Sequence, residues 1–164
     1  MRWSAVTLGG IYNSPAVHSG LVYATSYDGV LHAFDAATGA EIWSSQGEMN
    51  IGSSPAVSNG VVYASGRDGY LNALDADDGT AIWRADYSPR LGSSAAIVGD
   101  VVYTLSYSGY VWAFAARTGA PLWSFATGAE AGASPVVFDG TVFVGTGPDF
   151  VGIGEGSLFA IGGR

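Results

Sequence analysis

The sequence predicts an all-β fold, a β-propeller of four-stranded antiparallel blades, and three observations predict it. Trp3, Trp43, Trp83 and Trp123 recur at a step of 40 residues, and Tyr23, Tyr63, Tyr103 and Phe143 keep that step. Between these positions lie short β-branched and aromatic runs separated by Gly-containing turns. No stretch carries a helical apolar periodicity long enough to compete with this pattern. A fixed period of about 40 residues means one supersecondary unit copied in tandem, and four strands per unit make a propeller blade.

The copy from Ile51 to Arg90 shows each element in turn. Ser54-Pro55-Ala56-Val57 is a short apolar inner strand, repeated as Ser14-Pro15-Ala16-Val17, Ser94-Ala95-Ala96-Ile97 and Ser134-Pro135-Val136-Val137. Ser58-Asn59-Gly60 is a turn, and Val61-Val62-Tyr63-Ala64-Ser65 is a second strand. Arg67-Asp68-Gly69 turns the chain again, because an Asp-Gly pair tolerates positive φ. Tyr70-Leu71-Asn72-Ala73-Leu74 is the third strand, Asp75-Ala76-Asp77-Asp78-Gly79 the third turn, and Thr80-Ala81-Ile82-Trp83-Arg84 the outer strand.

One such meander leaves two apolar faces and two edges in water, so neighbours must stack on it. The alternation agrees: Leu31 and Ala33 point to one side of their strand, Val30 and Phe34 to the other, and both sides are apolar. In the turn before each outer strand, Asp35 offers a side-chain acceptor and Gly39 can take positive φ. The Trp beyond it buries a large ring whose indole N–H needs a partner, and a backbone carbonyl of a neighbouring blade would serve.

The run Ala33-Phe34-Asp35-Ala36-Ala37-Thr38-Gly39-Ala40-Glu41-Ile42-Trp43 resembles the tryptophan-docking motif of pyrroloquinoline quinone (PQQ)-like propeller repeats, A-x-D-x-x-T-G-x-x-x-W. The copy from Ala73 to Trp83 matches except that Asp78 replaces Thr, and that from Ala113 to Trp123 has Ala115 in place of Asp. A fourth begins at Ala160-Ile161 and stops at Gly162-Gly163-Arg164. The resemblance covers essentially the whole chain. It implies that Trp3, Trp43, Trp83 and Trp123 are structural and dock on the turns of Gly39, Gly79 and Gly119 and their counterparts. It implies a fold more firmly than an activity, because relatives include quinoprotein alcohol and glucose dehydrogenases, the BamB-type scaffold lipoprotein and cofactor-free sensor or surface domains. By this resemblance the chain is expected in the periplasm, outside the cell or in the cell envelope.

With 164 residues the chain fits one domain or a piece of one. It has no Cys, which excludes disulfides and thiolate metal sites, and it lacks the adjacent cysteine pair usual near the cofactor of quinoprotein alcohol dehydrogenases. A net charge of −8 with no Lys argues against nucleic acid and anionic membranes as partners. No signal peptide or apolar run of spanning length is visible.

Residues 1–10 read as the outer strand of a preceding or closing blade, 11–50, 51–90 and 91–130 as complete repeats, and 131–164 as a partial repeat with a loop insertion. The reading favoured is a piece of a ring of seven or eight blades. A four-bladed ring closed by the Trp3 strand and a pairing of two half-rings are the alternatives, and in an open half-ring the exposed blade edges are expected to self-associate.

Function in propellers usually sits on loops at one face. Two loop sets share a face here: the turns between second and third strands, and the connections between blades. Their side chains vary from repeat to repeat, and Tyr27, Arg67, Tyr107 and Arg90, with Phe150 from the fourth repeat, are the candidate binding face for a protein partner or small ligand. Phe150 and Ile153 lie in an expanded loop, Thr146 to Glu155: Gly156 follows Gly109, its counterpart, by 47 residues rather than 40. This Gly-rich stretch is no dinucleotide fingerprint, because no helix follows it. His18 is read as a solvated turn residue, and His32 as occupying a slot that Asn72, Trp112 and Phe159 fill elsewhere. The carboxylates beside turn glycines need no chemistry to explain them, and no cluster supplies the six to eight oxygens of a calcium site. The expectation is a non-catalytic scaffold of BamB-like type with no cofactor. The alternative is a fragment of a PQQ-dependent quinoprotein dehydrogenase, which would bring PQQ and calcium.

Overall fold

The computed structural model describes residues 1–45, 52–86, 93–147 and 154–162. Its described residues form fifteen strands and no helix, so none is long and apolar enough to cross a membrane. The first blade is β1 (Ala16–His18), β2 (Leu21–Thr25), β3 (Leu31–Asp35) and β4 (Glu41–Ser44). The second is β5 (Ala56–Ser58), β6 (Val61–Ser65), β7 (Tyr70–Asp75) and β8 (Ala81–Asp86). The third is β9 (Ala96–Val98), β10 (Val101–Leu105), β11 (Tyr110–Ala115) and β12 (Pro121–Ala126). The fourth has three strands, β13 (Val136–Phe138), β14 (Thr141–Thr146) and β15 (Ser157–Gly162). Every blade is an antiparallel meander in sequence order, as the turn chemistry predicts. The chain is therefore an all-β array of propeller blades.

The β1–β2 type of turn has two residues at positive φ in three blades, Ser19 (47°) with Gly20 (83°), Asn59 (51°) with Gly60 (72°), and Asp139 (47°) with Gly140 (70°), and one in the third blade, Gly99 (56°). The outer hairpins share a bulge. Ala33 pairs with Trp43 but Phe34 with Glu41, and the same shift occurs after Ala73 and after Ala113. The extra residues Ile42, Ile82 and Leu122 have about half their surface in water, and a bulge of this kind bends its strand and sharpens its twist.

The core lies between blades. Tyr23, Leu31, Ala33 and Trp43 of the first pack on Val62, Ala64, Leu74 and Ala76 of the second. Tyr63, Leu71 and Ala73 meet Val102, Phe114 and Ala116 in the same way, and Leu105 and Val111 meet Val142 and Val144. The inner strands are tied by a serine ladder: Ser14 N donates to Ser54 Oγ (3.1 Å), Ser54 N to Ser94 Oγ (3.1 Å), and Ser94 N to Ser134 Oγ (3.0 Å).

Residues 1–10, expected as the outer strand of a preceding or closing blade, pair with no strand among the described residues. Trp3 docks on the first blade, but no third strand lies beside this segment to pair with, and the fourth blade gains no strand from it among the described residues. The four-bladed ring closed by Trp3 is therefore not the arrangement seen.

Candidate binding face

The repeated aromatic side chains go into docking. Trp3 Nε1 donates to Ala36 O (2.9 Å), Trp43 Nε1 to Ala76 O (3.0 Å) and Trp83 Nε1 to Ala116 O (2.8 Å). Tyr23 and Tyr63 hydroxyls donate to the same Ala76 and Ala116 carbonyls, at 3.0 and 3.1 Å. Each docking ring lies flat on a turn glycine: a Cβ on Gly39, Gly79 or Gly119 would come within about 2.6 Å of the ring of Trp3, Trp43 or Trp83.

The turns themselves differ in how they are held. Asp35 Oδ1 accepts from Ala37 N, Thr38 N and Thr38 Oγ1, and these bonds hold its carboxyl below the usual range, the Thr38 hydroxyl contributing most. Thr38 Oγ1 accepts from Ala40 N, and in the second blade Asp78 Oδ1 takes over that role from Thr80 N (2.8 Å), which explains why Asp can replace Thr there. Ala115 offers no side-chain acceptor, and its turn rests on backbone bonds from Thr118 and Gly119 to Ala115 O.

Trp123 stands apart. It is 37% exposed against 9% for Trp43, and its indole N–H, like the Tyr103 hydroxyl, has no hydrogen-bond partner among the described residues. A cavity of about 300 Å³ lies against it, lined by Tyr103, Val142, Ile161, Gly140 and Gly162. This is the place that the Asp75–Gly79 turn fills beside Trp43. In the fourth blade the corresponding residues begin at Gly162.

On the face of the β2–β3 and β6–β7 turns, side chains left over from packing come together. The Arg67 guanidinium lies 4.3 Å from the centre of the Tyr27 ring, and Tyr12 meets Tyr27 edge-on at 4.8 Å. Tyr27 is 53% and Tyr12 79% exposed, and Arg67 is exposed as well. Gly52 lets Arg67 lie there, since a Cβ at that position would meet the arginine stem at 2.8 Å. Gly9 and Gly10 bring the N-terminal segment against the same turn: Gly10 O accepts from Tyr27 N (3.0 Å), and a Cβ on Gly9 would lie 2.4 Å from Asp28 N. The result is an aromatic and cationic ridge across two blades. Tyr107 occupies the matching turn of the third blade, with its ring beside Gly132. Arg90 and Phe150, with most of the expanded loop, lie outside the described residues.

Two features of the first and second blades escaped sequence reasoning. His32 is buried, with Nδ1 2.7 Å from Glu41 Oε1, Nε2 3.6 Å from Asp28 Oδ2, and its ring stacked on Phe34. Burial works to raise the Asp28 pKa, but hydrogen bonds from Val30 N–H and Ser26 and the neighbouring imidazole outweigh it, so this carboxyl stays below the usual range. Glu41 aligns with Ala81 and Pro121, so His32 and Glu41 occur together in the first repeat alone. In the second blade Arg84 pairs with Asp68 (2.6 Å) and covers the Tyr70 ring at 3.6 Å. Both sets clip strands and turns of one blade together.

Among the described residues no three His, Asp or Glu side chains converge as metal ligands. Asp28 and Glu41 are held apart by the imidazole between them. A calcium ion takes six to eight oxygens, and among the described residues none of these carboxylates gathers with others to that number.

The sequence matches the family model of PQQ-type repeats described as outer membrane protein assembly factor BamB, over residues 1–105 and 67–161. No curated protein matches it. Among solved structures it is similar to BamB from Moraxella catarrhalis, with 20% identity and a TM-score of 0.77, covering 87% of this chain and 46% of that one. It is similar to the computationally designed Ika4 protein, with 16% identity and a TM-score of 0.80, covering 96% of this chain and 94% of that one. It is also similar to quinohemoprotein alcohol dehydrogenase from Comamonas testosteroni, with 20% identity and a TM-score of 0.74, covering 84% of this chain and 29% of that one. The chain thus spans about half the length of the BamB chain (46%). At these identities the likeness to solved structures is one of fold.

Proposed function

The chain belongs to the PQQ-like repeat family of outer membrane protein assembly factor BamB, and from that premise we propose that it is a non-catalytic scaffold that binds a protein partner in the cell envelope. The proposed contact is the face carrying Tyr12, Tyr27, Arg67 and Tyr107. One observation carries this reading: the Arg67–Tyr27–Tyr12 ridge is exposed and pre-assembled, whereas Trp43, Trp83, Tyr23 and Tyr63 of the repeats are consumed between blades. Aromatic and Arg side chains are the types enriched at interface hot spots, and a stacked guanidinium loses little freedom on binding. The opposite face offers Ser19-Gly20, Asn59-Gly60 and Asp139-Gly140, turns with little to grip.

The test is capture from a solubilised envelope extract on immobilised chain, compared with a Tyr27→Ala/Arg67→Ala/Tyr107→Ala triple variant. Capture should be lost with the thermal melt nearly unchanged. A triple variant that still captures the partner, together with loss on changing His18, Asn59 and Asp139, would place binding on the other face. Incubation with PQQ and calcium should give no quinone absorbance and no dye reduction, and a saturable redox signal would defeat the scaffold reading.

A further inference from the structure

Two arginines of the second blade sit over tyrosine rings, and they differ in one respect. Arg84 covers the Tyr70 ring at 3.6 Å and holds the Asp68 carboxylate at 2.6 Å. Arg67 lies over the Tyr27 ring at 4.3 Å and has no carboxylate: it makes no hydrogen bond or ion pair among the described residues. Its position is nonetheless fixed. The stem passes over Gly52, where a Cβ would meet Cγ and Nε at 2.8 Å, and the ring holds the far end. The carboxylates of the two nearest turns are already engaged. Asp68 Oδ1 accepts from Tyr70 N (3.2 Å) while its Oδ2 binds Arg84. Asp28 Oδ1 accepts from Val30 N (3.0 Å), and its Oδ2 lies 3.6 Å from His32 Nε2. Arg84 and Asp68 cancel each other, so Arg67 leaves one uncompensated positive charge on this turn, exposed to solvent.

We propose that Arg67 receives a carboxylate from the partner: a single Asp or Glu side chain, next to an aromatic or aliphatic residue, in an extended segment of a partner protein. This rests on the binding face proposed above and names what that face recognises. A guanidinium presents N–H donors in a fork that matches the two oxygens of a carboxylate, and such charge-assisted bonds are shorter and stronger than neutral ones. The contact with Tyr27 offers these donors no oxygen, so they remain for the partner. The residue beside the carboxylate would rest on Tyr27 and Tyr12, whose rings meet edge-on at 4.8 Å and give apolar surface next to the charge. A polyanion is the wrong match. With 14 Asp and Glu against 6 Arg the protein repels dense negative charge, and one uncompensated cation answers one carboxylate. A side-chain carboxylate, unlike a chain terminus, lets the segment continue past Arg67 in both directions along the ridge across the two blades.

The test selects a phage-displayed library of random peptides on the immobilised chain. Selected peptides are remade with both ends capped and titrated against the chain by calorimetry. The library should yield peptides with Asp or Glu beside an aromatic or aliphatic residue. Replacing that acid by its amide should weaken binding about tenfold, the scale of a charge-assisted pair that loses its water on binding. The amide peptide probes the contact on the unaltered chain, so this result does not depend on a variant that folds. Arg67→Gln should weaken the acid peptide by a similar factor and leave the amide peptide unchanged, because both changes remove one shared interaction. An arginine that only steadied Tyr27 would weaken both peptides alike, and that outcome would overturn the proposal. Acid and amide peptides of equal affinity, both lost on Tyr27→Ala, would overturn it while leaving the binding face in place. Peptides indifferent to Tyr27→Ala and Arg67→Gln would put binding elsewhere and overturn both readings. A library that yields nothing above background would overturn the extended segment, with capture of a folded partner by this face still open to its own experiment.

Discussion

Replacing Trp43 by Ala tests the docking geometry most directly. The ring is 9% exposed, lies on Gly79, tilts against Tyr23 at 5.9 Å between centres, and donates to Ala76 O. Its loss opens a cavity in the junction between the first two blades. The Ala76 carbonyl is not orphaned, because the Tyr23 hydroxyl still donates to it at 3.0 Å. The penalty is therefore that of lost packing, about 3–5 kcal/mol for a buried large aromatic. Trp123→Ala removes a ring that is 37% exposed and has no turn beneath it, so about 1–2 kcal/mol is expected from the apolar area it still buries. In an array of repeats such losses act on one junction at a time. The assay is urea unfolding followed by circular dichroism at one fixed protein concentration, because association would tie stability to concentration. Trp112→Phe, which can keep the ring stack on Phe114, should cost less than Trp43→Ala. Equal losses at Trp43 and Trp123 would refute the claim that the turn beneath the ring sets its contribution.

The glycines separate strain from contact. Gly60→Ala meets open space at φ 72° and should cost about 1–2 kcal/mol from left-handed strain alone, whereas Gly79→Ala at φ 75° also drives a Cβ to 2.6 Å from the Trp43 ring and should cost clearly more; equal thermal shifts would contradict this. Asp35 and Asp78 have lowered pKa values, chiefly through hydrogen bonds from Thr38 and Thr80. Their contribution is present above the unfolded carboxylate pKa near 4 and is lost as pH falls through the lower folded value, so Asp35→Ala should flatten the acid side of the stability profile. An unchanged profile would show that these bonds do not bear on folding. Ala115→Asp should give the third turn the acceptor that the other two possess and raise the melting temperature at neutral pH, and no rise would mean that the backbone bonds already suffice.

By itself the sequence determined the blade. Its period, its Asp-Gly and Asn-Gly turns and its β-branched runs place strands close to where they lie: Val61–Ser65 is read directly, and the third strand expected over Tyr70–Leu74 runs one residue further, to Asp75. These signals are local, because turn chemistry and side-chain alternation act over a few residues. The tertiary structure decided what happens between repeats. The serine ladder joins residues one full period apart, so the repeated Ser is visible in the sequence but its partner is not. Tyr12 joins Tyr27 and Arg67 only because Gly9 and Gly10 let the N-terminal segment pass against a turn of the first blade. His32 finds Glu41 across a strand pair whose bulge shifts the register, a detail that no local pattern announces. Trp123 carries the same motif as Trp43 yet stays partly in water, because a docking residue is buried by the neighbour it docks on, and that neighbour is a property of the assembled array.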